Sequence, residues 1–475
     1  MAEAAGDGVS APIPGRCGFY VERKRRYCKM VVGSGKTFCG EHANAGQEGD
    51  RKRIPCPLDP KHTVFEDILA KHLKKCNSRE KPQPVYYVKD VNAGPEDDED
   101  LPADQVPLAE RAKEELDLLV KKLKKAVRGL NCKHEERILS HPALCEALSD
   151  PKNGDFAFKH LKQQASLLGN MEALGLLAAH RCFVEFGAGK GKLSHWINVA
   201  QREAENVHFL LVERSTTRFK VDGKNRSPDS MFERLQVDIQ HLSLRKVPLL
   251  LEKGLPVIGV GKHLCGAATD LALRCMLESA GQDQGEPRDQ PPRKRLKLEQ
   301  QRDGLGVETQ PTPTGLDTGL TTGLDTGLTV SGLAIALCCH HRCDWRHYVG
   351  KEFFRERGLG AAEFAALQRM SSWATCGLRK APGRSDGSPP PGGGSEQWEE
   401  EDHEHADDVI MPSSLDGVVS AEDREHVGRL CKLLIDYGRV DFLQRKGFTS
   451  RLQYYTSRDV SLENVLLTAV PNPTG

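Results

Sequence analysis

The sequence lacks the features that would place the chain in a membrane or on an export pathway. No run of about 18 consecutive apolar residues occurs, so no membrane-spanning helix is predicted. The N-terminus, MAEAAGDGVSAPIPGRC, has no basic segment followed by an apolar one, and we therefore expect no signal peptide. The formal net charge is zero, because 67 Lys and Arg balance 67 Asp and Glu over 475 residues. A chain of this length has room for two or three domains.

Charge and cysteine are unevenly distributed despite the neutral total. Between residues 16 and 89, Lys and Arg outnumber Asp and Glu about two to one, which favours a polyanionic partner. The 15 cysteines do not fit a secreted disulfide scaffold in so long a chain. We expect a reducing compartment, the nucleus and/or cytoplasm, where clustered cysteines bind metal rather than form disulfides.

A glycine turn near the middle of the chain is the strongest single feature. A buried strand is predicted at Cys182–Phe186 and a helix at Leu193–Ile197, and Gly187, Gly189 and Gly191 lie between them. Such a turn lets a nucleotide-like ligand approach the backbone at a helix N-terminus. A dinucleotide fingerprint needs a glycine three places after the second one, where this chain has lysine. Alternate glycines suit S-adenosylmethionine better, although an ordinary tight turn stays open.

Two acidic residues follow the glycine turn at predicted strand ends. Glu213 ends the strand His208–Val212, about 20 residues after the glycines, where a carboxylate can accept the ribose hydroxyls of the ligand. Asp238 follows a third predicted strand, Leu235–Val237, and is placed to meet an adenine. A solvated strand-end residue is the alternative for Glu213, and a loop or helix cap is equally open for Asp238.

The first of two Cys/His groups near the N-terminus contains Cys17, Cys28, Cys39 and His42. Three thiolates and one imidazole complete a closed tetrahedral zinc shell. The alternative is a set of small buried cysteines, but the intervening sequence is too polar to form a core around them.

The second group contains Cys56, His62, His72 and Cys76. A helix is predicted over 64–75, where the spacing of four between the last two ligands points both at one ion. The first two come from the preceding loop. Because few apolar side chains surround them, a zinc ion would supply much of the folding free energy. The nearby basic residues, together with Phe19 and Tyr20, favour RNA as the partner; they include Arg23 to Arg26 and Arg51 to Arg53.

The segments between these motifs divide the rest of the chain. A flexible acidic and proline-containing linker is predicted over 81–107, and an amphipathic helix that packs on its own domain begins the segment 108–150. Low-complexity insertions are predicted near 281–331 and 381–410. A helix is also predicted over 155–177, just before the glycine strand. Its polar residues Lys159, His160, Gln163 and Gln164 are candidates to face ligand or RNA, with surface exposure the ordinary expectation.

Polar clusters follow the fourth and fifth predicted strands, 256–260 and 332–337. Since ligands of open α/β sheets bind beyond the carboxyl ends of the strands, both clusters should line one crevice. Attack of a ribose hydroxyl on a sulfonium methyl needs a general base or nearby cation. The candidates for that role are Lys262, His263, His340, His341 and Asp344.

The same two clusters contain cysteines with a different possible chemistry. A thiolate from Cys265, Cys338 or Cys339 would activate a pyrimidine ring for methylation at carbon. A third zinc site is a further alternative, although adjacent ligands fit one tetrahedral ion poorly. Its ligands would be Cys338, Cys339, His340, His341 and Cys343.

Taken together, these motifs resemble one known family. The CCCH and CHHC groups and the blocks FKHLKQQASLLGN, VEFGAGKGKLSHW, GKHLCGAATDLAL and ALCCHHRCDW resemble the eukaryotic tRNA ribose 2′-O-methyltransferases that act on the fourth nucleotide of the acceptor stem. The resemblance spans nearly the whole chain apart from the two low-complexity segments. It implies an α/β fold: a Rossmann-like class I methyltransferase domain, closed by one antiparallel strand and preceded by two small zinc fingers and a helical linker. The implied domains are 14–45 (CCCH), 53–80 (CHHC), 81–107 (linker), 108–150 (helical) and 151–475 (methyltransferase).

The resemblance also implies roles for individual residues. Gly187, Gly189, Gly191 and Glu213 match positions that bind S-adenosylmethionine, and we add Glu185 and Asp238 as further cofactor-binding candidates. The family supplies no catalytic base, so Lys262, His263 and His340 are chosen from their positions alone. The predicted function is methylation of a tRNA ribose 2′-hydroxyl, with S-adenosylmethionine and zinc as cofactors and tRNA as partner. The alternatives are a pyrimidine-carbon RNA methyltransferase with a Cys nucleophile and a non-catalytic zinc-finger RNA adaptor.

Overall fold

The chain forms two compact units, residues 1–84 and residues 85–475. The computed structural model describes residues 13–22, 26–39, 42, 53–76, 78–79, 82–95, 108–215, 230–278, 328–376 and 420–473. The low-complexity segments predicted near 281–331 and 381–410 therefore lie outside the described residues, apart from residues 328–331. Among the helices of those ranges, none has the length and apolar character needed to cross a bilayer.

The first unit contains two small hairpins. Strands β1 (Tyr20–Val21) and β2 (Arg26–Tyr27) pair antiparallel, as do β3 (Arg53–Cys56) and β4 (Asp59–Phe65). After β4 come one 3₁₀ turn and the short helix α1 (Leu69–Leu73). The prediction of a single helix over 64–75, with the first two ligands in a loop, is wrong. The chain stays extended through residue 65 because Val64, which is buried, pairs with the facing hairpin strand.

The second unit is built from one large sheet and the helices that cover it. Its elements in chain order are α2 (Lys113–Ala126), β5 (Glu135–Glu136), α3 (Cys145–Ser149), α4 (Asp155–Ala173), β6 (Arg181–Phe186), α5 (Lys192–Ala200), β7 (Val207–Val212), β8 (Ser230–Leu235), α6 (Pro248–Lys253), β9 (Val257–Cys265), α7 (Ala268–Leu277), β10 (Val330–Cys338), α8 (Lys351–Glu356), α9 (Ala361–Met370), α10 (Trp373–Cys376), α11 (Ala421–Arg445), β11 (Phe448–Tyr454) and β12 (Val465–Pro471).

The strand order defines a doubly wound sheet. It runs β5-β11-β12-β10-β9-β6-β7-β8, and β12 is the one antiparallel member among these eight strands. This agrees with the α/β methyltransferase fold expected from the resemblance. The chain leaves β6 toward β7 and β8 and then returns to β9 on the other side of β6. The topological switch point therefore lies between β6 and β9, where such sheets bind ligands.

The central strands are buried on both faces, as parallel sheets require. Alternate residues point to opposite faces, so Phe183 and Phe209 pack in one apolar cluster with α4 and α5. Val184 and Leu210 pack in the other, with α7. A third cluster joins α2 to α8, α9 and α11. The amphipathic helix α2 thus packs on its own unit, as its spacing of leucines predicted.

Three segments differ from the prediction. Strand β9 continues to Cys265, beyond the predicted end at 260, and β8 ends at Leu235. Part of the predicted linker is packed: Tyr86 and Tyr87 lie against the core. Asn92, which is buried, donates hydrogen bonds to the carbonyl oxygens of residues 239 and 242, at 2.6 and 2.8 Å. The segment from 85 to 95 is therefore a part of the second unit rather than a free linker.

Candidate functional site

The glycine turn connects β6 to α5 at the switch point. Gly187, Gly189 and Gly191 have φ angles of +61°, +48° and +74°, a region that favours glycine. A Cβ on Gly191 would lie 2.6 Å from Leu211 Cδ2, so this position also lacks room for a side chain. Among the described residues, no heavy atom lies within 4 Å of a Cβ built on Gly189. The turn therefore has open space beside its middle glycine, as the approach of a ligand requires.

Glu213 lies at the carboxyl end of β7 and faces the glycine turn. One carboxylate oxygen accepts a hydrogen bond from the Gly189 backbone N–H at 3.1 Å, and the other accepts from the Ser215 N–H at 2.9 Å. A carboxylate has about four lone-pair positions, so capacity for ribose hydroxyls remains. On the other side of the turn, Arg234 Nη1 donates to the Gly189 carbonyl oxygen at 2.9 Å. Glu213, directly after β7, and Arg234, on β8, thus hold the turn in place although both are distant from it in sequence.

Glu185 is buried directly below the turn, with 4 % of its surface exposed. Its Oε2 accepts hydrogen bonds from the backbone N–H and the hydroxyl of Ser194, in the first turn of α5. Burial raises the pKa of Glu185 to about 7, although the Ser194 bonds and the charges of Arg234 and Lys262 oppose the shift. The carboxylate therefore ties the glycine turn to its helix, and its contact with a cofactor stays a prediction.

Asp238 follows β8 and caps a 3₁₀ turn. Its side chain accepts a hydrogen bond from the Gln240 backbone N–H at 3.0 Å. The structure thus shows the helix-cap role that the sequence left open, and the proposed contact with an adenine stays a prediction.

Lys262 lies on the other side of the switch point, on β9. The register between β9 and β10 shifts here, with one extra residue in β9 between Gly261 and Leu264. Such a bulge re-aims side chains and is common beside active sites. Lys262 is 9 % exposed, and its Nζ lies 2.7 Å from His160 Nδ1 on α4. The side chain of His263 lies outside the part of the molecule that the structure describes.

His160 is one of the four polar residues of α4 for which the sequence favoured surface exposure. Together with Gln163 and Gln164 it is buried, which corrects the ordinary expectation of surface exposure. The reason is that His160 contacts Lys262 on β9, which follows it in the chain by 102 residues. The sequence did contain an indication of this: His160, Gln163 and Gln164 are spaced to share one face of a helix, and that helix comes just before β6.

The structure argues against the catalytic role predicted for His340. The side chain is 1 % exposed, and its Nε2 lies 2.7 Å from an oxygen of Asp436 on α11. Burial alone would raise the pKa of Asp436, but His340 and then Arg439 hold it below the ordinary value. Arg439 in turn donates two hydrogen bonds to Asp270 on α7, at 2.8 and 3.2 Å. His340 therefore belongs to a buried ionic network that joins α7, α11 and the loop after β10.

Three cysteines meet where β9 and β10 end. Cys265 Sγ lies 3.6 Å from Cys338 Sγ and 3.1 Å from Cys339 Sγ. Hydrogen bonding with Cys338, then with Cys339, lowers the pKa of Cys265 to about 4, although burial opposes the shift. The same interactions with Cys265 raise the pKa of the other two thiols.

The CCCH residues converge in the first unit. The ligand atoms of Cys17, Cys28, Cys39 and His42 all lie within 4.8 Å of one another. His42 Nδ1 is 3.4 Å from Cys17 Sγ and 3.3 Å from Cys39 Sγ, and the sulfurs of Cys28 and Cys39 are 4.0 Å apart. Four atoms at these separations fit one tetrahedral zinc ion.

The CHHC residues converge in the same way. Cys56 and His62, which lie on β3 and β4, meet His72 and Cys76 from α1 and the residues after it. His72 Nε2 is 3.1 Å from His62 Nε2 and 3.2 Å from Cys56 Sγ. Asp59 Oδ2 lies 3.6 Å from the other ring nitrogen of His62, close enough for an ion pair but beyond hydrogen-bond distance. These atoms also fit one zinc ion.

Two residues expected to meet RNA have contacts within the first unit, and their contact with RNA stays a prediction. Arg53 donates hydrogen bonds to the Thr63 hydroxyl and carbonyl oxygens, at 2.9 and 2.6 Å, and lies over the Phe65 ring. The Phe19 ring stacks on the His42 imidazole with centroids 4.0 Å apart. Both side chains therefore support the two Cys/His groups, and the basic residues 23–25 and 51–52 lie outside the described part of the chain.

Three family models match the chain. The model described as Methyltransferase TRM13 matches residues 162–470. The model of the CCCH zinc finger in TRM13 protein matches residues 15–43, and that of the U11-48K-like CHHC zinc finger matches residues 53–77.

Curated relatives match over nearly the full length. The tRNA:m(4)X modification enzyme TRM13 homolog of Mus musculus is 56% identical over 472 residues, covering 98% of this chain and 97% of its own. The Homo sapiens protein of the same name is 56% identical over 465 residues, covering 97% and 95%. The Schizosaccharomyces pombe tRNA:m(4)X modification enzyme TRM13 is 31% identical over 434 residues, covering 88% and 95%. No solved structure matches the chain.

Proposed function

The chain belongs to the TRM13 methyltransferase family, and on that premise we propose that it methylates a ribose 2′-hydroxyl in the acceptor stem of tRNA, with S-adenosylmethionine as the methyl donor. The names of the curated relatives, tRNA:m(4)X modification enzymes, support the fourth nucleotide as the target. The observation that carries the proposal is the switch point, which has the glycine turn with Glu213 on one side and the Lys262–His160 pair on the other.

The residues of the glycine turn suit the donor. The space beside Gly189 admits a ligand, and Glu213 retains lone pairs for the two ribose hydroxyls. Arg234 and Glu185 hold this arrangement from below through the Gly189 carbonyl and the first turn of α5. When bound, S-adenosylmethionine supplies an electrophilic methyl group on a sulfonium sulfur.

The Lys262–His160 pair suits the acceptor. As the ribose oxygen forms its bond to the methyl carbon and the carbon–sulfur bond breaks, the hydroxyl proton must leave. Once Lys262 has lost its extra proton, its Nζ can donate a hydrogen bond to His160 Nδ1, 2.7 Å away, and use its own lone pair to accept the proton of the hydroxyl. Because the pair is nearly buried, it also keeps water from the attacking oxygen.

The zinc fingers suit a role in holding tRNA. Lys71 on α1, together with Lys74 and Lys75 directly after it, adds positive charge to the basic N-terminal region. Such cations attract phosphate groups independently of sequence. We also propose that the protein works in the nucleus and/or cytoplasm, where clustered cysteines bind metal, since none of the 14 cysteines whose side chains the structure describes is in a disulfide.

A transfer assay with nucleoside analysis tests the function. The full chain is incubated with methyl-labelled S-adenosylmethionine and an unmodified tRNA transcript, and the RNA is digested to nucleosides. We expect the label on a 2′-O-methyl nucleoside from position four. Label on a base would contradict the proposal.

A pyrimidine-carbon methyltransferase is the second candidate, because the lowered pKa of Cys265 gives that thiol the character of a nucleophile. The same assay separates the two functions, since the thiolate route places the label on carbon 5 of a pyrimidine.

A further inference from the structure

A third group of metal-ligand type lies in the second unit, away from both fingers in sequence. The sulfurs of Cys265, Cys338 and Cys339 all lie within 4.8 Å of one another. The sulfur of Cys265 lies 3.6 Å from that of Cys338 and 3.1 Å from that of Cys339, against 4.0 and 3.8 Å for the sulfur pairs of the two fingers. The three sulfurs are therefore close enough together for all of them to contact one metal ion.

The backbone brings these three sulfurs together by two separate features. Cys265 and Cys338 are register partners on the parallel strands β9 and β10, so their side chains leave the sheet on the same face. Cys339 would point to the opposite face if β10 continued, but its φ of +48° turns it back. A residue other than glycine is strained in this region, and such strain persists where the surroundings require it.

A glycine allows the two loops to meet. Gly266 follows Cys265 with a φ of +62°, and a Cβ built on it would lie 2.3 Å from the carbonyl oxygen of Arg342. The loop after β9 is therefore in close contact with the loop after β10, which keeps the three sulfurs near one another.

The ligand set differs from the third zinc site considered from the sequence. His340 is committed to Asp436, and Cys343 accepts a hydrogen bond from Arg439 at 3.1 Å. Neither these two residues nor His341 joins the group, which gains Cys265 from the neighbouring strand instead. Cys338 and Cys339 are adjacent, and in an extended strand their side chains would point to opposite faces. Because the chain turns at Cys339, both sulfurs can face the same ion.

We propose that Cys265, Cys338 and Cys339 bind a third metal ion, of the thiolate-binding class represented by Zn²⁺. Three protein ligands leave one tetrahedral position for an exchangeable ligand such as water, the pattern of catalytic rather than structural zinc. The three cysteines lie at the carboxyl ends of β9 and β10, and β9 is one of the two strands at the switch point. Metal binding releases the thiol protons and holds the ends of β9 and β10 together.

Metal stoichiometry of the full chain tests the site. Protein purified under a thiol-free reductant is equilibrated with buffered Zn²⁺, and bound zinc is measured by inductively coupled plasma mass spectrometry. We expect three ions per chain, and two in each of the variants Cys265→Ser, Cys338→Ser and Cys339→Ser. The matched controls are Cys132→Ser and Cys145→Ser, exposed thiols of the same unit, which should keep three.

Cobalt substitution gives a second readout that does not depend on the folding of any variant. The intensity of the sulfur-to-cobalt charge-transfer bands reports the number of thiolates, which is eight if all three groups bind and five if only the fingers do. Two zinc ions in the wild-type chain, with five thiolates in the cobalt form, would overturn the proposal. A disulfide between Cys265 and Cys339 in the reduced protein would overturn it as well.

Discussion

Lys262 and His160 show how the candidate acceptor site depends on single side chains. One comes from a bulge in β9 and the other from α4, and their nitrogens meet at 2.7 Å in a nearly buried position. The position of Lys262 was predictable, since it follows an apolar run that ends at the sheet edge. Its partner was not, because no periodicity within α4 reports which strand a polar side chain will reach.

Replacing Lys262 by Met removes the proposed proton acceptor and preserves much of the side-chain volume. We expect kcat for tRNA methylation to fall by about 10²–10⁴, the usual contribution of general acid–base catalysis. Affinity for S-adenosylmethionine should stay near the wild-type value. Steady-state kinetics and equilibrium binding measure the two effects, with Lys253→Met, at the exposed end of α6, as the control. A kcat within threefold of wild type in Lys262→Met would remove Lys262 from the mechanism.

Glu185 gives a pH dependence whose direction follows from its burial. Its pKa is about 7 in the folded protein against an ordinary value of 4.5, so the folded state binds the proton more tightly than the unfolded state. Its contribution to stability is therefore present below pH 4.5 and is lost as the pH rises toward 7.

The variant Glu185→Gln removes this titration but retains an oxygen for the Ser194 hydrogen bonds. Relative to this variant, the wild-type free energy of unfolding should fall by up to about 3 kcal/mol between pH 4.5 and 7. Urea unfolding at several pH values measures the difference, and the other titrating groups cancel between the two proteins. Parallel pH profiles would mean that Glu185 is ionised throughout.

At the scale of elements, two glycines of the turn between β6 and α5 have different roles: one is needed for stability and the other for ligand binding. Gly191→Ala should cost about 2–4 kcal/mol, because a positive φ adds to a contact with Leu211. Gly189→Ala should cost about 1–2 kcal/mol, because it adds only the backbone strain of a positive φ. Its methyl group, however, enters the open space beside the turn. We expect Gly189→Ala to lose S-adenosylmethionine affinity at least tenfold while it remains the more stable variant. Thermal unfolding and calorimetric titration measure both, and unchanged affinity in Gly189→Ala would place the donor elsewhere.

The elements that the sequence predicted correctly are those with a continuous apolar pattern. The strands near 182–186 and 208–212 are buried on both faces and so read as apolar runs. The end of β9 was missed because a bulge and polar residues interrupt its pattern. The hairpin of β3 and β4 was missed because it depends on pairing between two short segments, such as Val64 with Ile54, which no local apolar pattern reports.

At the scale of the whole molecule, the buried ionic network connects parts of the chain that no local pattern relates. Arg439 on α11 reaches Asp270 on α7, 169 residues away, and Asp436 reaches His340 after β10. All four side chains are at most 2 % exposed. The packing of residues 85–95 on the core and the meeting of three cysteines are equally long-range, which is why sequence reasoning found His340 and the cysteines but not the residues that they contact.

Replacing Arg439 by Met leaves two buried carboxylates without their shared cation. Breaking a buried pair in this way costs about 3–5 kcal/mol, and we expect a loss of that size in the free energy of unfolding. The control is Arg445→Met on the same helix, whose ion pairs with Asp441, Glu352 and Glu356 are exposed. That change should cost about 1 kcal/mol or less. Equal losses in chemical unfolding would show that the network does not hold α7 and α11 together.

The central claim is that the switch point delivers a methyl group to a ribose hydroxyl of tRNA, and one substitution in the RNA tests it most directly. Two tRNAs that differ only in a single 2′-deoxy sugar at the fourth nucleotide are offered to the full chain with labelled S-adenosylmethionine. The 2′-hydroxyl distinguishes the two RNAs and leaves the base unchanged. We predict methyl transfer to the all-ribose tRNA and none to its 2′-deoxy partner. Equal transfer to both RNAs would contradict the account.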